Sequence, residues 1–239
     1  MRKVNHDEEA LYDQLKHLGR KLHIPTVETF WEIEVRDRNG KVLQRFKQRS
    51  HSWVRNAYNL IFATLAGKDL SDSTFGPGKL NLKDTSNGVR YGAANTVCYV
   101  FQSSDAAGWG YRGPAGSHAY GILVGRGTNP EDFESYYLHV TIANGTGAGQ
   151  LSYVQSEPHV ITWIPGTLTL KNDLVRYFNN NSGADIDVTE VALVRHEYMP
   201  RSSTDAYYMM ARDLLASVVT VPDTGQLKVT YTIQLVYPV

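Results

Sequence analysis

A strict alternation of apolar and polar residues near the C-terminus is incompatible with an amphipathic helix and indicates a β-strand. Lys228, Thr230, Thr232 and Gln234 separate a series of apolar residues, namely Leu227, Val229, Tyr231, Ile233, Leu235 and Tyr237. A period of two places all the apolar side chains on one face of an extended strand. We therefore predict a long strand with one buried face, preceded by a turn at Pro222-Asp223-Thr224-Gly225.

Short runs of strand-forming residues, separated by turn residues, fill the rest of the second half. They cover residues 121–124, 136–142, 150–154, 160–163, 174–178, 188–195 and 217–221. The chain has 15 tyrosines and 20 glycines but only four methionines, which suits strands and turns better than a helical bundle. The predicted fold class is mainly β: an antiparallel β-sandwich or jelly-roll-like domain with an N-terminal helix and one further short helix.

A β-hairpin is predicted where two strand-like runs, 29–38 and 41–49, flank Asn39-Gly40. This pair favours a type I′ turn, which sets the register so that the numbers of paired residues sum to about 79. Glu34 then faces Arg45, and Glu32 faces Lys47. The opposite face carries Trp31, Ile33, Val35 and Phe46.

Two helices are predicted in the first 66 residues. The first, over residues 6–22, has one apolar side formed by Leu11, Leu15, Leu18 and Leu22, and Pro25 ends it. This side either packs on the chain's own domain or docks on a neighbouring subunit. The second helix, over residues 53–66, has Ser52 as its expected cap and Gly67 at its end. Its apolar stripe is interpreted as core and comprises Trp53, Ala57, Leu60, Ile61 and Leu65.

The length of 239 residues favours one main domain. We predict a helical arm over residues 1–25 and a β-sandwich over residues 26–239, with a loop-rich insertion at about 67–120. Within the insertion, only 96–101 has the pattern of a strand. Cys98 in this run is interpreted as a buried, inert residue.

Charge and hydropathy argue against several classes of partner. Lysine plus arginine and aspartate plus glutamate both number 24, and Glu32 and Glu34 offset part of the basic run 36–49, so we expect no nucleic acid contact. No segment has the length and apolarity of a membrane span or a signal peptide. With a single cysteine, the chain is expected to be made in a reducing cytoplasm, without a membrane partner.

No catalytic, metal or cofactor-binding motif is recognisable. Gly116-Ser117-His118 lacks the spacing of a hydrolase elbow, the histidines lack metal-ligand spacing, and the glycine-rich runs 125–128 and 145–149 do not continue into a phosphate-binding pattern. We therefore expect no cofactor and no enzymatic activity. The acidic pairs Asp185/Asp187 and Glu131/Asp132 are left open, because sequence does not give the distance between carboxylates.

Several motifs resemble those of structural proteins encoded by tailed bacteriophages. They are Ser52-Trp53-Val54-Arg55-Asn56, Gly121-Ile122-Leu123-Val124-Gly125-Arg126-Gly127-Thr128 followed by Glu131-Asp132-Phe133, residues 174–184 and 188–193, and Ala211-Arg212-Asp213-Leu214-Leu215 with the closing strand. The resemblance implies a virion component of β-sandwich type, present in many copies. It carries over no functional residue.

Two functions follow as expectations. The first is a non-enzymatic subunit of a phage particle, such as a capsid decoration, neck or tail component, located in the virion and packed against copies of itself and other virion proteins. The expected interface residues are Leu11, Leu15, Leu18, Leu22, Trp109 and Tyr111. The alternative is a receptor- or carbohydrate-binding module of a tail tip or fibre, in which Trp109, Tyr111 and Tyr120 stack on a host-surface glycan.

Overall fold

The computed structural model describes residues 6–91, 108–199 and 204–238. The protein is mainly β, with 44% strand and 14% helix, in antiparallel sheets consistent with a β-sandwich. The predicted fold class is confirmed, including the N-terminal helix and the second short helix. The predicted strand at 96–101, with Cys98, lies outside the described residues.

The strands form two main sheets. In chain order the elements are α1 (His6–Leu22), β1 (Thr26–Arg36), β2 (Val42–Arg49), α2 (Arg55–Ala66), β3 (Leu82–Lys83), β4 (Val89–Arg90), β5 (Gly121–Gly125), β6 (Ser152–Tyr153), β7 (Val160–Ile164), β8 (Thr169–Asn179), β9 (Ile186–Met199), β10 (Thr204–Val221) and β11 (Gln226–Val236). Sheet A has the order β2-β1-β11-β8-β6, with β7 also paired to β8. Sheet B has the order β10-β9-β5, and β3 pairs with β4.

The main hydrophobic core draws on both sheets. Sheet A contributes Trp31 and Phe178, and sheet B contributes Val194 and Met209, all with fully buried side chains. The alternating C-terminal strand behaves as predicted over its first half, where Leu227, Val229 and Tyr231 are fully buried. Burying one large apolar side chain contributes about 1.5–3 kcal/mol, so these rows make sheet A a stable platform.

The hairpin has the predicted register but a different turn. Glu34 faces Arg45 and Glu32 faces Lys47, as expected. A type I′ turn needs positive φ at both central residues, and at the turn only Gly40 has it, at +81°. Instead, the Asp37 carboxylate accepts hydrogen bonds from the backbone N–H groups of Asn39 and Lys41, and the register shifts after Val35. The type I′ prediction was therefore wrong, because the Asp37 side chain holds a longer turn.

Helix α2 departs from the prediction at its start and on one side. Ser52 is not the cap: Val54 precedes the helix without a side-chain cap bond, while the Arg55 N–H donates to the Phe133 carbonyl. Gly67 ends the helix with a left-handed φ of +58°, as expected. Of the predicted core stripe, Ala57 and Leu60 are buried, but Ile61 and Leu65 are 42% and 83% exposed. That half of the stripe was wrongly assigned to the core.

Two strand predictions in the second half were also inaccurate. Residues 136–142 do not form a strand; only Thr141 bridges to Gly125, and the Val140 N–H is bonded by the Glu190 carboxylate. The predicted strand 217–221 is the end of the 18-residue β10, which continues through two register shifts. In both places side-chain contacts distant in sequence decide the backbone path.

Candidate interaction surface

Helix α1 is anchored to sheet A through its polar side. The Arg49 guanidinium on β2 binds both carboxylate oxygens of Glu9 at 2.8 Å and also lies 3.8 Å from the centre of the Tyr12 ring. It donates a third hydrogen bond, of 2.8 Å, to Glu28 of β1. The burial of this cation is therefore compensated by two carboxylates and an aromatic ring. Because the side of α1 that carries Glu9 and Tyr12 faces the sheet, the neighbouring side that carries the leucines is left to solvent.

The predicted leucine stripe forms the exposed side of α1. Leu11, Leu15, Leu18 and Leu22 have 62%, 49%, 52% and 64% of their surface exposed. We call these four residues the leucine face. A helix that packed on its own domain in the usual way would bury such a stripe. Here the chain presents an aligned row of leucines to solvent, over roughly three turns of an anchored helix.

A second apolar surface lies at the same end of sheet A, on the side of the sheet that faces the core. Cross-strand pairing aligns Val27, Leu235, Leu170 and Trp163 in one row over β1, β11, β8 and β7. We call this row the open face. Two rows away, Trp31 and Tyr231 are fully buried, whereas Val27 and Trp163 are 49% and 44% exposed. The apolar side of sheet A thus extends beyond the core.

Strand β7 borders the open face and is exposed along its whole length. Val160, Ile161, Trp163 and Ile164 have 51%, 61%, 44% and 39% of their surface exposed, and none of its five residues is charged. The Trp163 ring contacts the Tyr237 ring, with centroids 5.3 Å apart. Exposed apolar residues contiguous over several elements are a recognised sign of an interaction surface.

The aromatic residues predicted to contact a partner pack mainly against other side chains of the same chain. Trp109 stacks on His196 at 4.6 Å with nearly parallel rings, and Tyr120 stacks on Tyr207 at 5.2 Å. Tyr111 is half-buried and packs against the hydrophobic core; burial raises the pKa of its hydroxyl. Trp109 and Tyr120 therefore belong to one aromatic cluster, which they form with His196 and Tyr207 of sheet B. The leucine face lies elsewhere, on helix α1, which is anchored to sheet A.

The acidic pairs serve as local hydrogen-bond acceptors. Asp185 accepts from the Asp223 N–H and Asp187 from the Thr220 hydroxyl. Glu131 accepts from the Leu214 N–H, and Asp132 accepts from the Glu134 N–H. These bonds fix turns and strand ends.

One group of side chains has the donor set for a metal ion. Ligand atoms of His51, Glu131 and Asp213 lie within 4.8 Å of one another. Asp213 is buried and already accepts hydrogen bonds from the Trp31 indole N–H at 2.8 Å and the Ser50 hydroxyl at 2.7 Å. Burial raises the pKa of this carboxyl above its ordinary value. These bonds give Asp213 a structural role in joining β10 to β1, and sequence spacing gave no sign of the group.

Comparisons with protein-family profiles, curated proteins and solved structures give no match to this chain. Within the described ranges, neither helix combines the length and apolarity needed to cross a lipid bilayer. The interaction surface is defined by the exposure of its apolar side chains. The leucine face was predictable from the sequence. The open face and the exposure of β7 were not, because both depend on the order in which the strands of sheet A pair.

Proposed function

We propose that this chain is a non-enzymatic structural subunit of a bacteriophage particle, a capsid decoration, neck or tail component, that docks on neighbouring subunits through the leucine face. The observation that carries the proposal is the outward orientation of four aligned leucines on a helix anchored by its polar side. The phage assignment is supported by the sequence motifs that resemble virion proteins.

An apolar helix face of this kind suits a hydrophobic groove on a partner. Helix-in-groove contacts use side chains spaced by three and four positions, which is the spacing of Leu11, Leu15, Leu18 and Leu22. The polar contacts of Arg49 hold the helix on its own sheet, so little ordering entropy is lost on docking. A preformed helix of this kind is the form expected of a subunit that joins an existing assembly.

The test replaces all four leucines of the leucine face by glutamine, which retains helix propensity but removes the apolar surface. We expect capture of the purified protein by particles lacking it to fall at least tenfold, while circular dichroism and the melting temperature stay unchanged. The matched control replaces Ala10 and Lys21, which are exposed on the same helix, by glutamine. Undiminished capture of the leucine variant would contradict the proposal.

A further inference from the structure

We propose that two copies of this chain associate by antiparallel pairing of their β7 strands, across a two-fold axis at Thr162. The inference rests on the proposed function, in that it names a second copy as one of the partners of a structural subunit. It is carried by the outer edge of β7, by the composition of that strand and by the residues that flank it.

The outer edge of β7 differs from the other sheet edges in the described residues. Strand β2 forms one edge of sheet A and carries Arg45, Lys47 and Arg49, whose positive charges discourage pairing with another chain. The edge of β10 is covered by the segment before α2, through the bond from the Val54 N–H to the Met210 carbonyl. The edge of β5 is covered by the bond from the Ile142 N–H to the Val124 carbonyl.

Strand β7 has no comparable protection within residues 6–91, 108–199 and 204–238. In the part of the chain that the structure describes, β7 makes backbone pairs only with β8, and it has no charged residue. Half of the backbone N–H and C=O groups of an edge strand point away from its sheet and are available to another strand. The β7 edge is therefore a template for β-strand addition.

The composition of β7 fits pairing with itself. A two-fold axis perpendicular to the sheet sets Thr162 opposite Thr162 of the second copy, Ile161 opposite Trp163, and Val160 opposite Ile164. No like charges meet, and the chain's net charge of zero gives no long-range repulsion between copies. By contrast, β2 paired with itself would bring arginine and lysine side chains together.

Two prolines restrict the register. Side chains alternate between the two faces of a strand, so an alternative register that keeps the same side chains on the same face must differ in centre by one residue and in pairing by two. Such a register would set Pro165 opposite Ile161, or Pro158 opposite Ile164. Proline has no N–H to donate to a ladder, so both shifted registers weaken the pairing. The register centred on Thr162 pairs the whole strand and keeps both prolines outside it.

This pairing also extends the open face. Trp163, 44% exposed in the single chain, becomes flanked by Ile161 of the second copy, which is 61% exposed. The apolar row from Val27 to Trp163 is then one residue longer and ends at Ile161 of the second copy, beside Asn172. Apolar surface on both sides of the new strand pair is removed from water, which favours association.

The test uses single cysteines in a background with Cys98 replaced by alanine. Directly opposed residues of antiparallel strands have Cα atoms about 4.5–5.5 Å apart, which permits a disulfide. We expect Thr162→Cys to form a disulfide dimer on mild oxidation. Val160→Cys and Ile164→Cys should each remain monomeric alone, because like residues lie roughly 13 Å apart in this register. A mixture of the two should form the mixed dimer.

A non-covalent test uses sedimentation velocity of the full chain. Thr162→Lys places two lysines directly opposite each other and should abolish the dimer, while Thr162→Ser, the matched control, should preserve it. An unchanged far-ultraviolet circular dichroism spectrum in both variants shows that the fold is intact, whereas the melting temperature of Thr162→Lys should fall with the loss of the dimer. A monomeric parent protein, or crosslinking at Val160 alone, would overturn the β7 pairing.

The two proposals fail separately. The glutamine variant of the leucine face should lose capture by particles yet keep the Thr162→Cys crosslink, because β7 is unchanged. Capture without the crosslink would reject the β7 dimer and leave the proposed function standing. The crosslink without capture would do the reverse.

Discussion

Arg176 is a fully buried cation in sheet A, and within the part of the chain that the structure describes none of its hydrogen-bond partners is a carboxylate. Its guanidinium donates five hydrogen bonds to backbone carbonyl oxygens, those of Pro114, Ser117, Tyr120, Ile122 and Val154. Burial lowers the pKa of Arg176 to about 10. The charge is thus tolerated because backbone carbonyl dipoles from residues 114–122 and from Val154 converge on it, and these bonds in turn fix the path of residues 114–122.

Arg176→Lys should destabilise the protein by about 2–3 kcal/mol, because lysine has three donors and leaves at least two buried carbonyls without a partner. Denaturant unfolding monitored by tryptophan fluorescence measures this change. Arg38→Lys, at an exposed position, is the control and should change stability by less than about 0.5 kcal/mol. Equal free energies of unfolding for the two variants would show that the five hydrogen bonds make no net contribution to stability.

A buried ion pair leaves no room for a side chain at Gly127. Glu190 and Arg212 are both buried and form a 2.8 Å contact, and the Glu190 carboxylate also binds the Gly127 N–H at 2.9 Å. A Cβ atom at Gly127 would collide with that carboxylate. We expect Gly127→Ala to cost about 1–3 kcal/mol of stability. Gly166→Ala has free space around it and should be neutral or slightly stabilising, and calorimetry distinguishes the two.

At the scale of elements, Arg49 makes the shortest polar contacts between α1 and sheet A. Arg49 contacts Glu9 and Tyr12 of the helix and Glu28 beneath it. Arg49→Ala should loosen α1 and raise amide hydrogen exchange in residues 6–22 about tenfold, since a loss of about 1.4 kcal/mol is a factor of ten. It should also lower the stability of the β-sandwich, because the buried Glu28 carboxylate loses its nearest cation. Arg45→Ala, which removes an exposed pair with Glu32, should leave exchange in α1 unchanged.

Removal of residues 1–25 tests the same element from the other side. Because α1 contacts sheet A mainly through polar groups and leaves its leucines exposed, we expect the truncated protein to keep a cooperative unfolding transition. It should lose capture by particles, as the leucine variant does. Complete unfolding of the truncated chain would make α1 an integral part of the core.

At the scale of the whole molecule, burial of tyrosines makes stability fall at alkaline pH. Burial raises the pKa of Tyr153, Tyr208 and Tyr231, so the folded state keeps protons that the unfolded chain releases near pH 10. Arg176 acts in the opposite sense, because its pKa is lowered on folding. Three tyrosines that keep a proton, against one arginine that loses it, give the folded state a net excess of about two protons, so stability should fall by roughly 3 kcal/mol per pH unit above pH ~10. Burial also raises the pKa of Tyr12, Tyr111 and Tyr120, which adds to this fall.

Guanidinium unfolding at several pH values between 8 and 11.5 measures this slope. Tyr153→Phe should reduce it by about 1.4 kcal/mol per pH unit, because one titrating group is removed. A slope that does not change in this variant would show that Tyr153 ionises in the folded state as readily as in the unfolded one.

Local pattern was sufficient for several elements of the fold. The alternation from Leu227 onward gave the position and buried side of β11, and the spacing of the leucines gave the full extent of α1. The hairpin register followed from Asn39-Gly40 although the turn type did not, because the Asp37 carboxylate competes for the same backbone N–H groups. Residues 136–142 were misassigned because the Glu190 side chain, 50 residues away, binds the Val140 N–H.

Which apolar surfaces face solvent was decided by tertiary structure alone. The sequence by itself determined that α1 has a leucine face and that β7 is apolar and uncharged, because spacing and composition are local properties. Only the folded protein shows that the Arg49 contacts turn the leucine face outward, and that β7 lies at an unprotected sheet edge. A periodic apolar pattern indicates that one face of an element will be buried. Whether that face is buried by the same chain or by a partner depends on the tertiary contacts that orient the element.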